Sequence, residues 1–175
     1  MRPRSFLAPL LATLPALAAC LDATHDKQVQ ALGGEAPGVA PGPDHRPDQP
    51  CLVCHGSEGP AKSSFSVAGT VHAVEKQSAP AVGATVQIED IDGLVFLSPT
   101  NTAGNFYVLT SQWQPTFPIQ MQVSLGPVTA QMLTHVGREG SCATCHLTIP
   151  GPASPGPVYV ATNPQQLLGD GGTGP

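Results

Sequence analysis

The residues best equipped for chemistry are four cysteines and two histidines that repeat one pattern, Cys51-Leu52-Val53-Cys54-His55 and Cys142-Ala143-Thr144-Cys145-His146. On a single helical turn, positions i, i+3 and i+4 share a face, so each pentapeptide sets two sulfurs side by side with an imidazole next to them. Sulfur can be alkylated to a thioether or oxidised to a disulfide, and thiolate and imidazole both ligate transition metals. A zinc cage of four cysteines, or of two cysteines and two histidines, requires pairs with 87 residues between Cys54 and Cys142 to converge. The four-cysteine form also leaves both histidines without a task. Two disulfides, or a redox dithiol of the thioredoxin kind, fit less well, because that dithiol needs a βαβ setting and the strand pattern described below lacks one.

Each pentapeptide resembles the haem attachment signature of c-type cytochromes. The resemblance implies two covalently attached haem c groups, one on Cys51 and Cys54 and one on Cys142 and Cys145. Thioethers would join each to the haem vinyl groups, with His55 and His146 as axial iron ligands. A pure electron carrier needs a second axial ligand on each iron, and the remaining histidines are His25, His45, His72 and His135. His72 and His135 fall on predicted strands, each on the face opposite its strand's apolar set, Val67 and Val71 or Ala130 and Met132. Such a side chain is ordinarily solvated, but here it can meet something outside the core. His45 lies in a Pro-rich segment that must be ordered if its imidazole is to reach iron. His135, His72 and His45 are the candidate distal ligands, while Met121, which shares a face with Ile119 and Val123, and Met132 read as core residues.

Residues 1–19 read as an export signal, with Arg2 and Arg4 ahead of an apolar run, Phe6 to Leu17, too short and too Pro-broken to span a bilayer. The run ends in Leu17-Ala18-Ala19-Cys20, which resembles the bacterial lipobox. That resemblance implies cleavage before Cys20 and lipidation of its sulfur, which accounts for the unpaired fifth cysteine and ties the protein to a membrane. The other reading is a general signal peptide cut nearby, with Cys20 left as a free thiol. Leu21 after the lipidated cysteine is similar to the outer-membrane sorting pattern of Gram-negative bacteria, so the expected location is the outer membrane, on its periplasmic or cell-surface side. Cleavage removes Arg2 and Arg4 and leaves five basic against twelve acidic residues, hence a net of −7. With no basic cluster to neutralise phosphates, nucleic acid is excluded as a partner.

The elements that must position these motifs are strands. Phe65, Val67, Gly69, Val71 and Ala73 alternate with Ser64, Ser66, Ala68, Thr70 and His72, the period of a half-buried strand. Further strands are predicted at 81–88, 93–97, 105–110, 117–125 and 127–136, with turn residues between them, and no segment of more than a few turns carries a helical apolar period. An all-β sandwich follows, with short helical turns carrying the two motifs. Residues 20–50 are expected to be a flexible tether, 51–149 the β-sandwich domain, and 150–175 a Pro/Gly-rich tail, ordered at first and disordered at its end.

Val67-Ala68-Gly69-Thr70-Val71, Ala79-Pro80-Ala81-Val82-Gly83-Ala84-Thr85-Val86, Asp90-Ile91-Asp92-Gly93 and Thr102-Ala103-Gly104-Asn105-Phe106-Tyr107 together resemble the carboxypeptidase regulatory-like, transthyretin-like repeat. The resemblance covers about residues 65–110 and implies a fold, not an activity; this chain has Asn101-Thr102 where the family often has Asp. Glu89, Asp90 and Asp92 lack the calcium-loop spacing and read as a polar turn. Trp113 and Phe117 read as a loop anchor over the sandwich. The expected function is electron transfer between redox proteins such as other cytochromes, with assembly into a haem chain open to it. The competing readings are a haem enzyme or gas sensor with one open axial position, peroxidase-like, and a surface-binding sandwich that carries haems.

Overall fold

The computed structural model describes residues 22–35 and 37–169 of the 175-residue chain. The export signal, Cys20 and residues 170–175 lie outside the described residues. Among the described residues no helix is long and apolar enough to cross a membrane.

Strand β1 (Phe65–Val74) is the spine. Strand β4 (Asn105–Leu109) pairs with its first half antiparallel, with a register shift between Phe65 and Val67, and β7 (Val158–Ala161) pairs with its second half parallel. The second sheet runs β3-β2-β5-β6, from β2 (Thr85–Glu89), β3 (Val95–Pro99), β5 (Gln120–Leu125) and β6 (Val128–Gln131), all antiparallel. Val67, Val71, Phe106, Val108 and Val160 from the first sheet meet Val86, Ile88, Ile119 and Val123 from the second in one core. Each such aliphatic side chain removed from water contributes about 1.5–3 kcal/mol. Mostly strand, in two sheets sharing a core with a few short helices, the chain has the composition of a β-sandwich.

Two turns use one device. Asp90 Oδ1 accepts from the amides of Asp92 and Leu94, and Asn101 Oδ1 accepts from those of Ala103 and Asn105. The third residue after each, Gly93 and Gly104, takes φ of +78° and +77°, which favours glycine. Asp90 thus serves a turn, as expected. Trp113 stacks on Phe96 with ring centroids 5.6 Å apart, and with Phe117 it packs against the core as the anchor anticipated from sequence.

The domain reaches beyond 51–149 at both ends. Residues 158–161, placed by sequence in the tail, are a sheet strand with Val160 in the core. Residues 43–48, placed in the tether, lie along the sandwich. Asn101 Nδ2 donates to the Pro43 carbonyl at 2.6 Å, Thr102 Oγ1 to Asp44 at 2.8 Å, and Asn105 Nδ2 to the His45 carbonyl at 3.0 Å. The Asp48 amide donates to Thr70 Oγ1 at 2.8 Å. A nine-residue helix, α1 (Ala23–Ala31), precedes this segment, capped by the Asp22 carboxylate on the amides of Thr24 and His25; such a cap contributes about 0.5–2 kcal/mol. The strand predicted over 127–136 stops at Gln131, where the chain swings out with Leu133 almost fully exposed and returns at Val136 to bridge Ile119. His135 is therefore in an exposed loop rather than on a strand.

Candidate functional site

The first motif is helix α2 (Cys51–His55), a single turn that starts after Pro50 and ends as the Gly56 amide bonds the Leu52 carbonyl at 2.8 Å. The chain then folds back so that the Ala61 amide donates to the Cys54 carbonyl at 3.0 Å. This requires glycine at 59, because a Cβ there would collide with the backbone of Cys54. The His55 ring stacks on Phe65, 4.1 Å between centroids and 6° between planes, and Phe65 stacks in turn on Tyr107. His55 Nδ1 lies 2.9 Å from the Ser63 carbonyl. A carbonyl can only accept, so Nδ1 carries the proton and Nε2 keeps its lone pair, the tautomer of a metal-ligating imidazole.

The second motif repeats this logic on a different backbone. A 3-10 turn (Cys142–Thr144) places the His146 amide 2.8 Å from the Cys142 carbonyl. His146 Nδ1 then donates to the Gly156 carbonyl at 2.8 Å, again leaving Nε2 as the acceptor nitrogen. The loop that supplies Gly156 is held by buried Ser154, whose Oγ accepts from the amides of Leu147 and Gly156.

Both turns lean on β1. The Ala68 amide donates to the Gly140 carbonyl at 2.9 Å on the way into the second motif, and Cys142 packs over Gly69, where a Cβ would lie 2.7 Å from its Cβ and Sγ. Burial pushes the Cys51 thiol up to about 11, with Cys54 adding to the shift. Burial also pushes Cys142 up to about 12, and the negative charge that Cys51, Cys145 and Glu139 can carry adds to it. Ala68, which bridges Ser141 ahead of the second motif, also lines the cavity beside the first, so the two motifs share one region of the sandwich. The four thiols are free, and among the described residues no three His, Cys, Asp or Glu side chains gather as an ion cage.

A cavity of about 670 Å³ opens beside the first motif, within the range that houses small ligands and cofactors. Cys51, Cys54 and His55 line one side, Phe65, Phe106 and Tyr107 of the sandwich another, and Leu32, Glu35 and residues from 41–50 the third. His45 comes from that third wall, with its ring 5.9 Å from that of His55 and 74° to it. Its Nδ1 bonds Glu35 Oε1 at 3.1 Å, and Arg46 Nε donates to the same oxygen at 3.0 Å. Those partners, Arg46 foremost, hold the Glu35 carboxyl below its ordinary value against the opposing effect of burial.

The structure thus separates the three candidate distal histidines. His45 is brought to the first motif. His72 points away from the core, as the alternation predicts, but it is covered rather than solvated, and its Nε2 bonds Asp48 Oδ1 at 2.8 Å. It lines a second cavity, about 410 Å³, together with Tyr159 and the prolines that follow His146. His135 is exposed and lines neither cavity. His25 Nε2 is taken by the Val53 carbonyl at 2.8 Å, which docks α1 on α2. Met121 packs against the core, whereas Met132 is half-buried beside it. Sequence reasoning missed Glu35 and Arg46, whose roles depend on Arg46 reaching back to residues 32–35, which no local pattern announces. Comparison with family models, with curated proteins and with solved structures found no match to this chain.

Proposed function

We propose that this protein is an exported, lipid-anchored dihaem c-type cytochrome that carries electrons between redox proteins. The observation that carries this reading is the duplicated motif with a duplicated second contact: in both, the histidine that follows the cysteine pair donates Nδ1–H to a backbone carbonyl and keeps Nε2 free. A metal-ligating histidine needs that arrangement. When bound, each haem would supply one-electron iron chemistry. Cys51 and Cys54, and Cys142 and Cys145, would hold the groups covalently, while His55 and His146 would orient toward the irons. The raised pKa values of the half-buried Cys51 and Cys142 thiols favour this outcome over a thiolate cage, since a thioether carries no charge to desolvate. The first cavity would exclude water around its group, and the sandwich, of the transthyretin-like kind that residues 65–110 resemble, would act as a common support.

Cys20 would carry the lipid and set the protein at the outer membrane. The acidic balance of the chain would favour basic redox partners at low ionic strength. A second reading, a gas-binding or peroxidase-like centre with one open axial position, is favoured by one observation: His72 is engaged by Asp48 and His135 stands exposed, so the second centre has no imidazole assigned opposite His146. Expression with a c-type maturation system, followed by haem quantification and a reduced spectrum with and without carbon monoxide, tests both. Two covalent haems per chain are expected, with one lost on Cys51→Ala/Cys54→Ala. Absence of covalent haem refutes the cytochrome reading, and a full carbon monoxide shift of one haem moves the second reading to the front.

A further inference from the structure

The wall that faces His55 across the first cavity is built from a segment whose composition announces only a linker. Arg46 gathers it, donating to the Leu32 and Gly33 carbonyls, to Gln49 Oε1 and to Glu35. Arg46 and Asp48 both hold left-handed φ, 50° and 63°. Non-glycine residues there persist only where surrounding contacts over-determine them. What this strained fold-back achieves is the placement of one side chain. His45 has its Nδ1 on the Glu35 carboxylate, which holds that nitrogen's proton and leaves Nε2 with a lone pair. Two imidazoles bound to one metal through nitrogens about 2.0–2.1 Å from it keep their ring centres roughly 6 Å apart, and the His45 and His55 centroids are 5.9 Å apart.

We propose that His45 is the sixth ligand of the iron at the Cys51–His55 centre, and that Glu35 is its positioning residue. This rests on the haem reading of that motif and deepens it. The two imidazoles of the centre are not equivalent. His55 points its Nδ1–H at a neutral carbonyl, whereas His45 points its own at a carboxylate oxygen that also accepts from Arg46. A carboxylate partner makes an imidazole a stronger donor to its metal, which stabilises ferric over ferrous iron, so Glu35 lowers the potential of this centre relative to a neutral partner. Among the described residues the second oxygen of Glu35, Oε2, is buried with no hydrogen-bond partner.

The test uses the holoprotein matured with haem. His45→Gly is expected to keep two covalent haems by haem quantification and to raise the number of carbon monoxide-reactive haems by one per chain. Added imidazole should then return that haem to the low-spin spectrum, a rescue that a purely structural role for His45 would not show. Glu35→Gln should keep both haems low-spin and move one midpoint potential upward, with the other unmoved. Two haems with unchanged carbon monoxide reactivity in His45→Gly overturn the ligand assignment while leaving the cytochrome reading intact. A high-spin centre that imidazole does not rescue also overturns it. Unmoved potentials in Glu35→Gln overturn the positioning role. A wild-type protein with no covalent haem removes the premise and with it the proposal.

Discussion

Gly69 sits where the second motif meets β1, and replacing it with alanine separates attachment at that motif from attachment at the first. Its backbone is ordinary for a strand, so alanine meets no conformational penalty, only a spatial one. The new methyl would lie 2.7 Å from both Cβ and Sγ of Cys142 and 3.2 Å from Phe106 Cε1, against a normal carbon contact of about 3.5–4.0 Å. Something must move by about 1 Å, and Phe106 is locked in the core, so the shift falls on Cys142. Overpacking of this size costs about 1–3 kcal/mol, or about 2–12 °C in Tm for a domain of this length. The sharper effect is on geometry, because Cys142 and Cys145 must present their sulfurs together to one group. Peptide mass spectrometry of matured Gly69→Ala should show full modification at Cys51 and Cys54 and reduced modification at Cys142 and Cys145. Val160→Ala, which loosens the core at β7 without crowding Cys142, is the control for general destabilisation. Full occupancy at Cys142 and Cys145 with an unchanged Tm in Gly69→Ala would refute the argument, as would an equal loss in Val160→Ala.

Val160→Ala itself should cost about 1–3 kcal/mol by urea unfolding, because the strand from the tail is part of the core; a neutral result would detach β7 from the domain. Thr70→Val keeps the shape but removes the acceptor for the Asp48 amide and the donor to Asn105 Oδ1. It should cost about 1–3 kcal/mol and speed proteolysis within residues 37–50, and an unchanged cleavage rate would contradict the docking of that segment. Asp48 holds the His72 imidazolium and raises its pKa above the ordinary value, with burial opposing. A raised folded value stabilises fully below the unfolded value of about 6.5 and is lost as pH rises through the folded one. Asp48→Asn should therefore lose most stability relative to wild type near about pH 5.5 and least above about pH 8, and parallel urea midpoints across that range would refute the ion pair.

How much of this was legible depends on whether the decisive contacts are local. The alternation through Phe65–Val74 and the turns closed by Gly93 and Gly104 are local patterns, and the strands around them stand within a few residues of where the pattern puts them. The 127–136 segment misled because the alternation of Val128, Ala130 and Met132 runs on past Gln131, where the strand ends and the chain leaves the sheet with Leu133 almost fully exposed. Helix α3 (Pro164–Leu167) carried a readable signal that went unused: Asn163 and Gln166 form a capping box with Pro164 at the first helical position. Strand β7 was obscured by Pro155 and Pro157, which end just before it and cost it no ladder bond. The two cysteine-pair motifs were fully readable, but what faces them was not. Helix α1 has no apolar stripe and is fixed by its Asp22 cap and by one histidine on a distant carbonyl.

The 41–50 segment shows why composition alone misjudged the first cavity. Ordering a residue's backbone costs about 1–2 kcal/mol, and a stretch with almost no apolar side chains has little burial to offset that. Yet Pro41, Pro43, Pro47 and Pro50 have φ fixed before folding, so much of their entropy is absent from the unfolded chain as well. The remainder is offset by side chains that present donors or acceptors from the sandwich: Asn101, Thr102, Asn105, Thr70 and His72 all reach residues 43–48. Asn101 is the telling case. A carboxylate at that position would close the turn equally well, but only an amide also has a donor for the Pro43 carbonyl. Order in this wall is thus written into the hairpin some 60 residues away, and with it the position of the one imidazole that faces His55.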